Sequence, residues 1–210
     1  MQVIPAIDVL DGRVVRLRQG SYDDMTVYGD DAVAFARRYV DQGADLVHVV
    51  DLGAARDGGD HDRSALCRGL AEADVPFQIG GGIREADIAI EVIAAGARRI
   101  VVGTAAVADP EALESIVTAV GTDRVVGAVD VKDGRARGSG WEDEGAPVGE
   151  VLHRLGDLDV VWVLVTGISR DGTLAGPDLT LMNQVREQWP SFSVIASGGV
   201  ADVSDLEALA

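Results

Sequence analysis

Two aspartates occupy equivalent positions in two similar segments of the chain. Residues 6–13 (AIDVLDGR) recur as residues 128–135 (AVDVKDGR), so that Asp8 in the first segment corresponds to Asp130 in the second. Two carboxyl groups whose surroundings separate their pKa values can share proton abstraction and proton donation. Each aspartate can instead simply cap the turn that follows it, because Asp-Gly sequences favour turns. The matching positions favour the catalytic interpretation, in which Asp8 and Asp130 form an acid/base pair.

Glycine-rich turns are a second repeated feature. Residues 79–83 (IGGGI) return as residues 196–200 (ASGGV). The glycines in question are Gly81 and Gly82 in the first copy, and Gly198 and Gly199 in the second. Bare backbone N–H groups at a helix N-terminus favour an anion, so two such turns predict two phosphate sites. A simple tight turn is the alternative for each of them.

Residues near these turns extend the predicted phosphate sites. Gly103 and Thr104, after the next strand, would complete the first site beside the first glycine pair. Arg84 can either support that phosphate or pair with an acid on the following helix. In a barrel of eight strands, the loop that would complete the second site follows an eighth strand, which we expect to be absent.

The histidines and Trp141 each allow either a functional or a purely structural interpretation. His48 lies in a strand-like segment and can point into the active site or form a hydrogen bond in the core, whereas His61 and His153 are expected at the surface. Trp141 can stack on a planar heterocycle or pack over the rim of the fold. Histidines and carboxylates do not stand at ligand spacing on one element, so we expect no metal site. Cys67, the only cysteine, is expected to have a packing role.

Short apolar runs alternate with helical patterns along the chain. The runs predict seven strands, at residues 2–8, 45–51, 76–80, 98–104, 124–131, 159–166 and 193–197. Segments of helical period lie between them, among them residues 31–42, 85–95, 110–120 and 179–188. This alternation predicts parallel strands joined by crossover helices, hence an α/β barrel or an open doubly wound sheet.

The internal repeat favours the barrel. Two similar halves, about residues 1–122 and 123–210, predict one (βα)8 TIM-barrel domain over residues 1–210, built from two half barrels. Barrel enzymes carry their active sites at the C-terminal ends of the strands, where we expect Asp8 and Asp130. Seven βα units are visible and the eighth is expected to be absent.

The charge of the chain bears on its partners. Among 210 residues, 35 acidic and 18 basic side chains give a net charge of -17, which disfavours nucleic acid and anionic membranes. The apolar runs are too short to span a bilayer, so we expect a soluble, cytoplasmic protein. We expect a monomer that binds a small molecule, or an oligomer formed through open strand edges if the barrel is truly truncated.

Taken together, these motifs resemble the phosphoribosylformimino-aminoimidazole-carboxamide ribotide isomerase family of histidine biosynthesis. The resemblance rests on residues 4–8 (IPAID), 16–20 (RLRQG), 80–84 (GGGIR), 102–105 (VGTA), 171–173 (DGT) and 197–199 (SGG), in this order and spacing. It covers essentially the whole chain. It implies an Amadori rearrangement of an aminoaldose to an aminoketose, on a substrate with a phosphate at each end, without cofactor or metal.

The resemblance also implies roles for single residues. Asp130 would be the general acid that protonates the ribose ring oxygen, and Asp8 would be the base that removes the C2′ proton. Thr166 and Asp171 match family positions that hydrogen-bond the substrate. The matched motifs further suggest Arg16 and Gly20 for substrate binding and Gly172 for phosphate binding.

The sequence leaves several alternative assignments of function open. A bifunctional isomerase that also acts on phosphoribosylanthranilate usually has Arg where this chain has Ser139, and Ser where it has Gly80. The related cyclase subunit normally reads Cys-Leu-Asp in its first strand, where this chain has Ala-Ile-Asp. A Schiff-base aldolase would have to use Lys132, the sole lysine. An incomplete, non-catalytic phosphate-binding barrel is the alternative from another class.

Overall fold

The computed structural model of the chain describes residues 1–18, 21–57, 63–138, 141 and 145–210. The chain divides into two compact units, Met1–Val101 and Val102–Ala210. Each unit is an α/β structure that contains neighbouring parallel strands, as the strand-helix alternation predicts. Among the described helices, none combines the length and the apolar character needed to cross a membrane.

The described residues of the first unit form six strands. They are β1 (Ala6–Leu10), β2 (Arg13–Arg18), β3 (Ser21–Gly29), β4 (Val47–Asp51), β5 (Phe77–Gly80) and β6 (Arg99–Val102). Their order in the sheet is β6-β5-β4-β1-β2-β3, and the first four are parallel. The helices are α1 (Ala32–Asp41), α2 (Leu52–Asp57), α3 (Ser64–Glu72) and α4 (Ala86–Ala94). Strands β5 and β6 are buried along their whole length, as expected for parallel strands covered on both faces.

The second unit is also built from strands and helices. Its strands are β7 (Val125–Lys132), β8 (Arg135–Arg137), β9 (Ala146–Pro147), β10 (Trp162–Gly167) and β11 (Ser193–Ser197). Strands β7, β10 and β11 are parallel neighbours in that order, whereas β8 runs antiparallel to β7 and β9 antiparallel to β8. The helices are α5 (Thr104–Ala108), α6 (Pro110–Val120), α7 (Val148–Asp157), α8 (Leu179–Gln188) and α9 (Val203–Leu209).

Helix starts follow local sequence signals. Asp31 accepts a hydrogen bond from the Ala34 N–H at 2.9 Å at the start of α1, and Asp109 accepts one from the Ala112 N–H at 3.0 Å at the start of α6. Such caps satisfy backbone donors that have no partner inside the helix. The four helices predicted by number are therefore confirmed, each within one or two residues of its predicted ends.

The prediction was wrong about the first strand and its surroundings. It ended that strand at residue 8, whereas β1 continues to Leu10 and turns into the antiparallel strands β2 and β3. The turn consists of Asp11 (φ +51°) and Gly12 (φ +77°). Two central residues with positive φ are the requirement of the tight hairpin turn that Asp-Gly favours. The Asp-Gly sequence after Lys132, at the end of the second copy of the repeat, makes the same turn, with Asp133 at φ +53° and Gly134 at φ +73°.

Candidate active site

Asp8 lies inside β1, two residues before the end of the strand. Its backbone is level with Val50 of β4 on one side and with Val15 of β2 on the other. The side chain is 17% exposed, and its Oδ2 lies 3.5 Å from Nη1 of Arg16, which is itself 47% exposed. The Asp8 carboxyl group is therefore shielded on the sheet side and held beside a solvent-accessible cation.

Asp130 occupies the corresponding position in β7. Its Oδ2 accepts a hydrogen bond of 2.8 Å from the indole Nε1–H of Trp141, and the hydroxyl of Thr166 donates a second bond to the same carboxyl group. Burial raises the pKa of Asp130, the two hydrogen bonds lower it, and the nearby negative charge of Asp171 raises it again. The net direction is upward, which favours the protonated, acidic form.

Both aspartates were expected at strand ends, and the structure places them slightly earlier. The parallel part of the sheet does end beside them, because the last parallel pairs are Val9 with Asp51 and Val131 with Gly167. Beyond these pairs the strands continue only as the hairpins to β2 and β8. The C-terminal edge of the parallel sheet thus lies one residue past each aspartate.

His48 is half-buried and lies in a polar layer of the first unit with two buried residues, Gln78 and Arg99. It is level with Gln78 of β5, which is level with Arg99 of β6, and this layer lies two residues below that of Asp8. Gln78 Nε2 contacts His48 Nδ1 at 3.2 Å. Burial, assisted by the positive charge of Arg99, lowers the pKa of His48 from 6.5 to about 4. A neutral imidazole at neutral pH can position a group but is a poor proton donor.

The first glycine pair lies close to the backbone at the end of β4 and the start of α2. Gly81 (φ +104°) and Gly82 (φ +64°) have positive φ, and a Cβ at either would overlap a backbone carbonyl oxygen, that of Asp51 or that of Ala54. Arg84 Nη2 donates to the Ala55 carbonyl at 3.3 Å. The sequence had suggested a phosphate or an acid on the following helix as the partner of Arg84. Helix α4 starts later, at Ala86, without a side-chain cap.

The second glycine pair is built in the same way. Gly198 (φ +88°) lies against Thr166 and the Gly167 carbonyl oxygen, and Gly199 (φ +83°) lies against Gly176, whose N–H donates to the Gly199 carbonyl at 3.0 Å. The N-terminus of α9 is already filled, because Asp202 and Asp205 form a reciprocal capping box there. An anion at this turn would therefore meet the N–H groups of the glycine turn itself rather than the helix end.

The remaining predicted site residues lie in turns. Gly103 directly precedes α5, which begins at Thr104. Asp171 and Gly172 (φ +69°) belong to the turn after β10, in which the Asp171 N–H donates to the Gly167 carbonyl at 3.1 Å. Gly20 and Ser139 lie outside the described residues, as does His61. In the part of the chain that the structure describes, no group of three or more potential ligands can hold a metal ion.

Sequence reasoning missed three contributors to these sites. Gln78 and Arg99 are buried polar residues in otherwise apolar strands, and that exception to the pattern is the signal that could have identified them. Asp51 is also buried, and its Oδ1 accepts the Ala54 N–H at 3.0 Å, which fixes the start of α2 against the glycine turn. The hydrogen bond from Trp141 to Asp130 has no signature in the sequence.

Comparison with known proteins gives a consistent result. The family model described as "Histidine biosynthesis protein" matches residues 2–210. A relative from Thermomicrobium roseum is 45% identical over 100% of this chain and 86% of its own length, and one from Salinibacter ruber is 41% identical over 97% and 80%. One from Deinococcus radiodurans is 40% identical over 100% and 87%.

All three relatives carry the same name, 1-(5-phosphoribosyl)-5-((5-phosphoribosylamino)methylideneamino) imidazole-4-carboxamide isomerase. The matched residues span both units. The chain therefore belongs to the histidine biosynthesis protein family, as one of its isomerases.

Proposed function

We propose that the protein converts an aminoaldose to an aminoketose by an Amadori rearrangement, acting on the bisphosphorylated imidazole-carboxamide ribotide named for its relatives. The names of those relatives support the substrate. The observation that carries the chemistry is the contrast between the two aspartates. Asp130 is held in an environment that raises its pKa, whereas Asp8 lies beside the guanidinium of Arg16.

The proposed reaction begins with proton donation by Asp130. Its proton passes to the ribose ring oxygen, the C1′–O bond breaks, and the amine nitrogen forms an iminium with C1′. Asp8 then removes the C2′ proton, which leaves an enolamine. Tautomerisation of the enolamine places the carbonyl at C2′ and returns the protons, so that the product is an isomer of the substrate. Thr166 and Asp171, next to Asp130, orient the sugar in this scheme.

The two glycine turns are the proposed phosphate sites. Each presents backbone with positive φ and no side chain, which allows a phosphate oxygen to approach the N–H groups closely. We assign one phosphate to Gly81 and Gly82 and the other to Gly198 and Gly199. Arg84, whose guanidinium is tied to the Ala55 carbonyl, keeps further N–H donors that can serve the first phosphate.

We also propose that the fold is a (βα)8-type barrel with a half-barrel repeat. The repeated sequence motifs support this, and so do the repeated hairpin turns after β1 and β7 and the repeated glycine geometry after β5 and β11.

The test is a steady-state assay on the bisphosphorylated substrate with four matched variants. Asp8→Asn and Asp130→Asn should each lower turnover by about 10²- to 10⁴-fold, the usual contribution of one proton transfer, while substrate still binds. Asp11→Asn and Asp133→Asn make the same chemical change in the exposed hairpin turns, where the positive φ suits Asn, and should retain activity. Full turnover in Asp8→Asn or Asp130→Asn would remove that residue from the mechanism.

Phosphoribosylanthranilate belongs in the same assay as a second substrate. It shares the aminoaldose chemistry but carries a single phosphate, so its turnover reports whether both glycine turns are needed. Turnover of the bisphosphorylated substrate alone is the expected result. Equal turnover of both substrates would contradict the assignment of two required phosphate sites.

A further inference from the structure

The indole of Trp141 contacts Asp130 through its N–H edge. The bond from Nε1 to Oδ2 measures 2.8 Å and joins two side chains eleven positions apart in the sequence. The backbone of Trp141 has φ +75°, a value that is rare for a bulky residue, and its N–H donates to the Gly138 carbonyl at 2.7 Å. A side chain presented on such a backbone is held in place by its surroundings and tends to occur at functional sites.

The contact distinguishes the two oxygens of the Asp130 carboxyl group. An indole N–H can only donate, so Oδ2 must act as an acceptor towards Trp141. A hydroxyl such as that of Thr166 both donates and accepts, and it therefore tolerates either protonation state of the carboxyl group. The labile proton of Asp130 is then directed to Oδ1, the oxygen that the indole does not engage.

We propose that Trp141 is a positioning residue that fixes the orientation of the Asp130 carboxyl group and so selects the oxygen that delivers the proton. The proposal rests on the proposed function, in which Asp130 is the general acid. It assigns to Trp141 a role distinct from stacking on the substrate, because the contact with Asp130 is made by the N–H edge of the indole.

The charged groups around Asp130 determine the expected pH response. Arg137 of β8 is its partner in the antiparallel pair, and Asp171 faces it from the turn after β10. Thr166 of β10 and Trp141 donate hydrogen bonds to it, and on β7 itself Lys132 is exposed. Because both donors stabilise the ionised carboxylate, loss of either should raise the pKa of Asp130.

A spectroscopic test is independent of turnover. The protein has three tryptophans, so ¹⁵N labelling gives three indole N–H resonances, and Trp141→Phe identifies the one that belongs to Trp141. That resonance should follow a single pH titration, which disappears in Asp130→Asn and moves to higher pH in Thr166→Val. An indole resonance of Trp141 that ignores pH, with normal titration of the other groups, would overturn the proposal.

The kinetic test uses Trp141→Phe, which keeps an aromatic face and loses the N–H. We expect kcat to fall by about 10- to 100-fold, as for loss of one hydrogen bond to a charged group, and the alkaline limb of the kcat profile to move to higher pH. Trp189→Phe is the matched control, because Trp189 packs edge-on against His153. It should leave kcat and the alkaline limb of the kcat profile unchanged.

The possible outcomes distinguish a failure of the positioning role of Trp141 from a failure of the proposed function. A rise in KM with unchanged kcat and unchanged pH limbs would show that Trp141 only stacks on the substrate, and would overturn the positioning role. Loss of thermal stability with an unmoved pH profile would mean a purely structural role. If the unmodified protein fails to turn over the substrate, the proposed function fails, and the indole titration still decides whether Trp141 positions Asp130.

Discussion

Alanine at Gly81 should destabilise the protein far more than alanine at Gly12. Both glycines belong to the first unit and have positive φ, +104° at Gly81 and +77° at Gly12. They differ in what a new Cβ would meet. At Gly12 there is nothing within 4 Å, whereas at Gly81 the Cβ would overlap the Asp51 carbonyl oxygen and lie 2.9 Å from its carbonyl carbon.

The magnitude follows from two separate costs. A residue with a Cβ in the left-handed region loses about 1–2 kcal/mol, and this cost applies to both variants. At Gly81 the backbone around Asp51 must also move, and forced repacking of this kind adds about 1–3 kcal/mol. We therefore expect the free energy of unfolding to fall by about 1–2 kcal/mol in Gly12→Ala and by about 2–5 kcal/mol in Gly81→Ala.

Urea denaturation of the two variants beside the unmodified protein measures this difference. The slope of the free energy with urea should be the same in all three, so that the midpoints report stability alone. Equal losses in Gly12→Ala and Gly81→Ala would refute the reasoning, because they would show that the close approach to Asp51 contributes nothing. Movement of the Asp51 backbone should also disturb the Ala54 N–H cap, which amide hydrogen exchange at the start of α2 can detect.

Two further predictions concern pH. Thr166→Val removes a donor to Asp130 and should move the alkaline limb of the kcat profile to higher pH, with about a tenfold or greater loss of kcat. Asp171→Asn removes a like charge and should move that limb to lower pH. If the limb moved equally and in the same direction in both variants, the assignment of Asp130 as the acid would be contradicted. His48 has a folded pKa of about 4 against 6.5 when free, so the unfolded chain binds the proton first and stability falls as pH drops from 6.5 towards 4, by up to about 3 kcal/mol. When urea unfolding is compared at the two ends of this pH range, the loss of stability should vanish in His48→Gln and persist in the control His153→Gln. If the loss of stability were unchanged in His48→Gln, groups other than His48 would be its cause.

The repeat was the most informative feature of the sequence, because it constrains backbone geometry. Asp-Gly at two matching places predicts two similar turns, and the φ angles of Asp11 and Gly12 indeed match those of Asp133 and Gly134 within a few degrees. Helix boundaries could be predicted because caps such as Asp31 act on neighbours three residues away. Features of this kind depend on local sequence alone.

Contacts between distant segments could not be predicted. Gln78 reaches His48 across 30 positions, and the layer that they form with Arg99 depends on strand register rather than on any local motif. The glycines show the same limit. The glycine pairs predicted turns, but the close approach of Gly81 and Gly82 to the Asp51 and Ala54 carbonyl groups depends on how β5 packs against β4. Motif reasoning thus located the glycines and not the contacts that require them.

The surroundings of the two aspartates differ, and these differences bear on the proposed division of acid and base roles between them. Asp8 and Asp130 occupy the same place in their hairpins, so the repeat alone would give them the same chemistry. The residue level with Asp8 on the neighbouring parallel strand is Val50, which offers no hydrogen bond, whereas Thr166 stands level with Asp130.

The other neighbours differ in the same sense. A solvent-accessible guanidinium, that of Arg16, lies beside Asp8, whereas Asp130 receives hydrogen bonds from Thr166 and Trp141 and faces the negative charge of Asp171. Withdrawal from water and a neighbouring like charge raise the pKa of a carboxyl group, whereas a neighbouring cation favours its ionised form. The repeat therefore supplies two equivalent carboxyl groups, and the proposed division of proton donation and proton abstraction between them follows from substitutions at a few neighbouring positions.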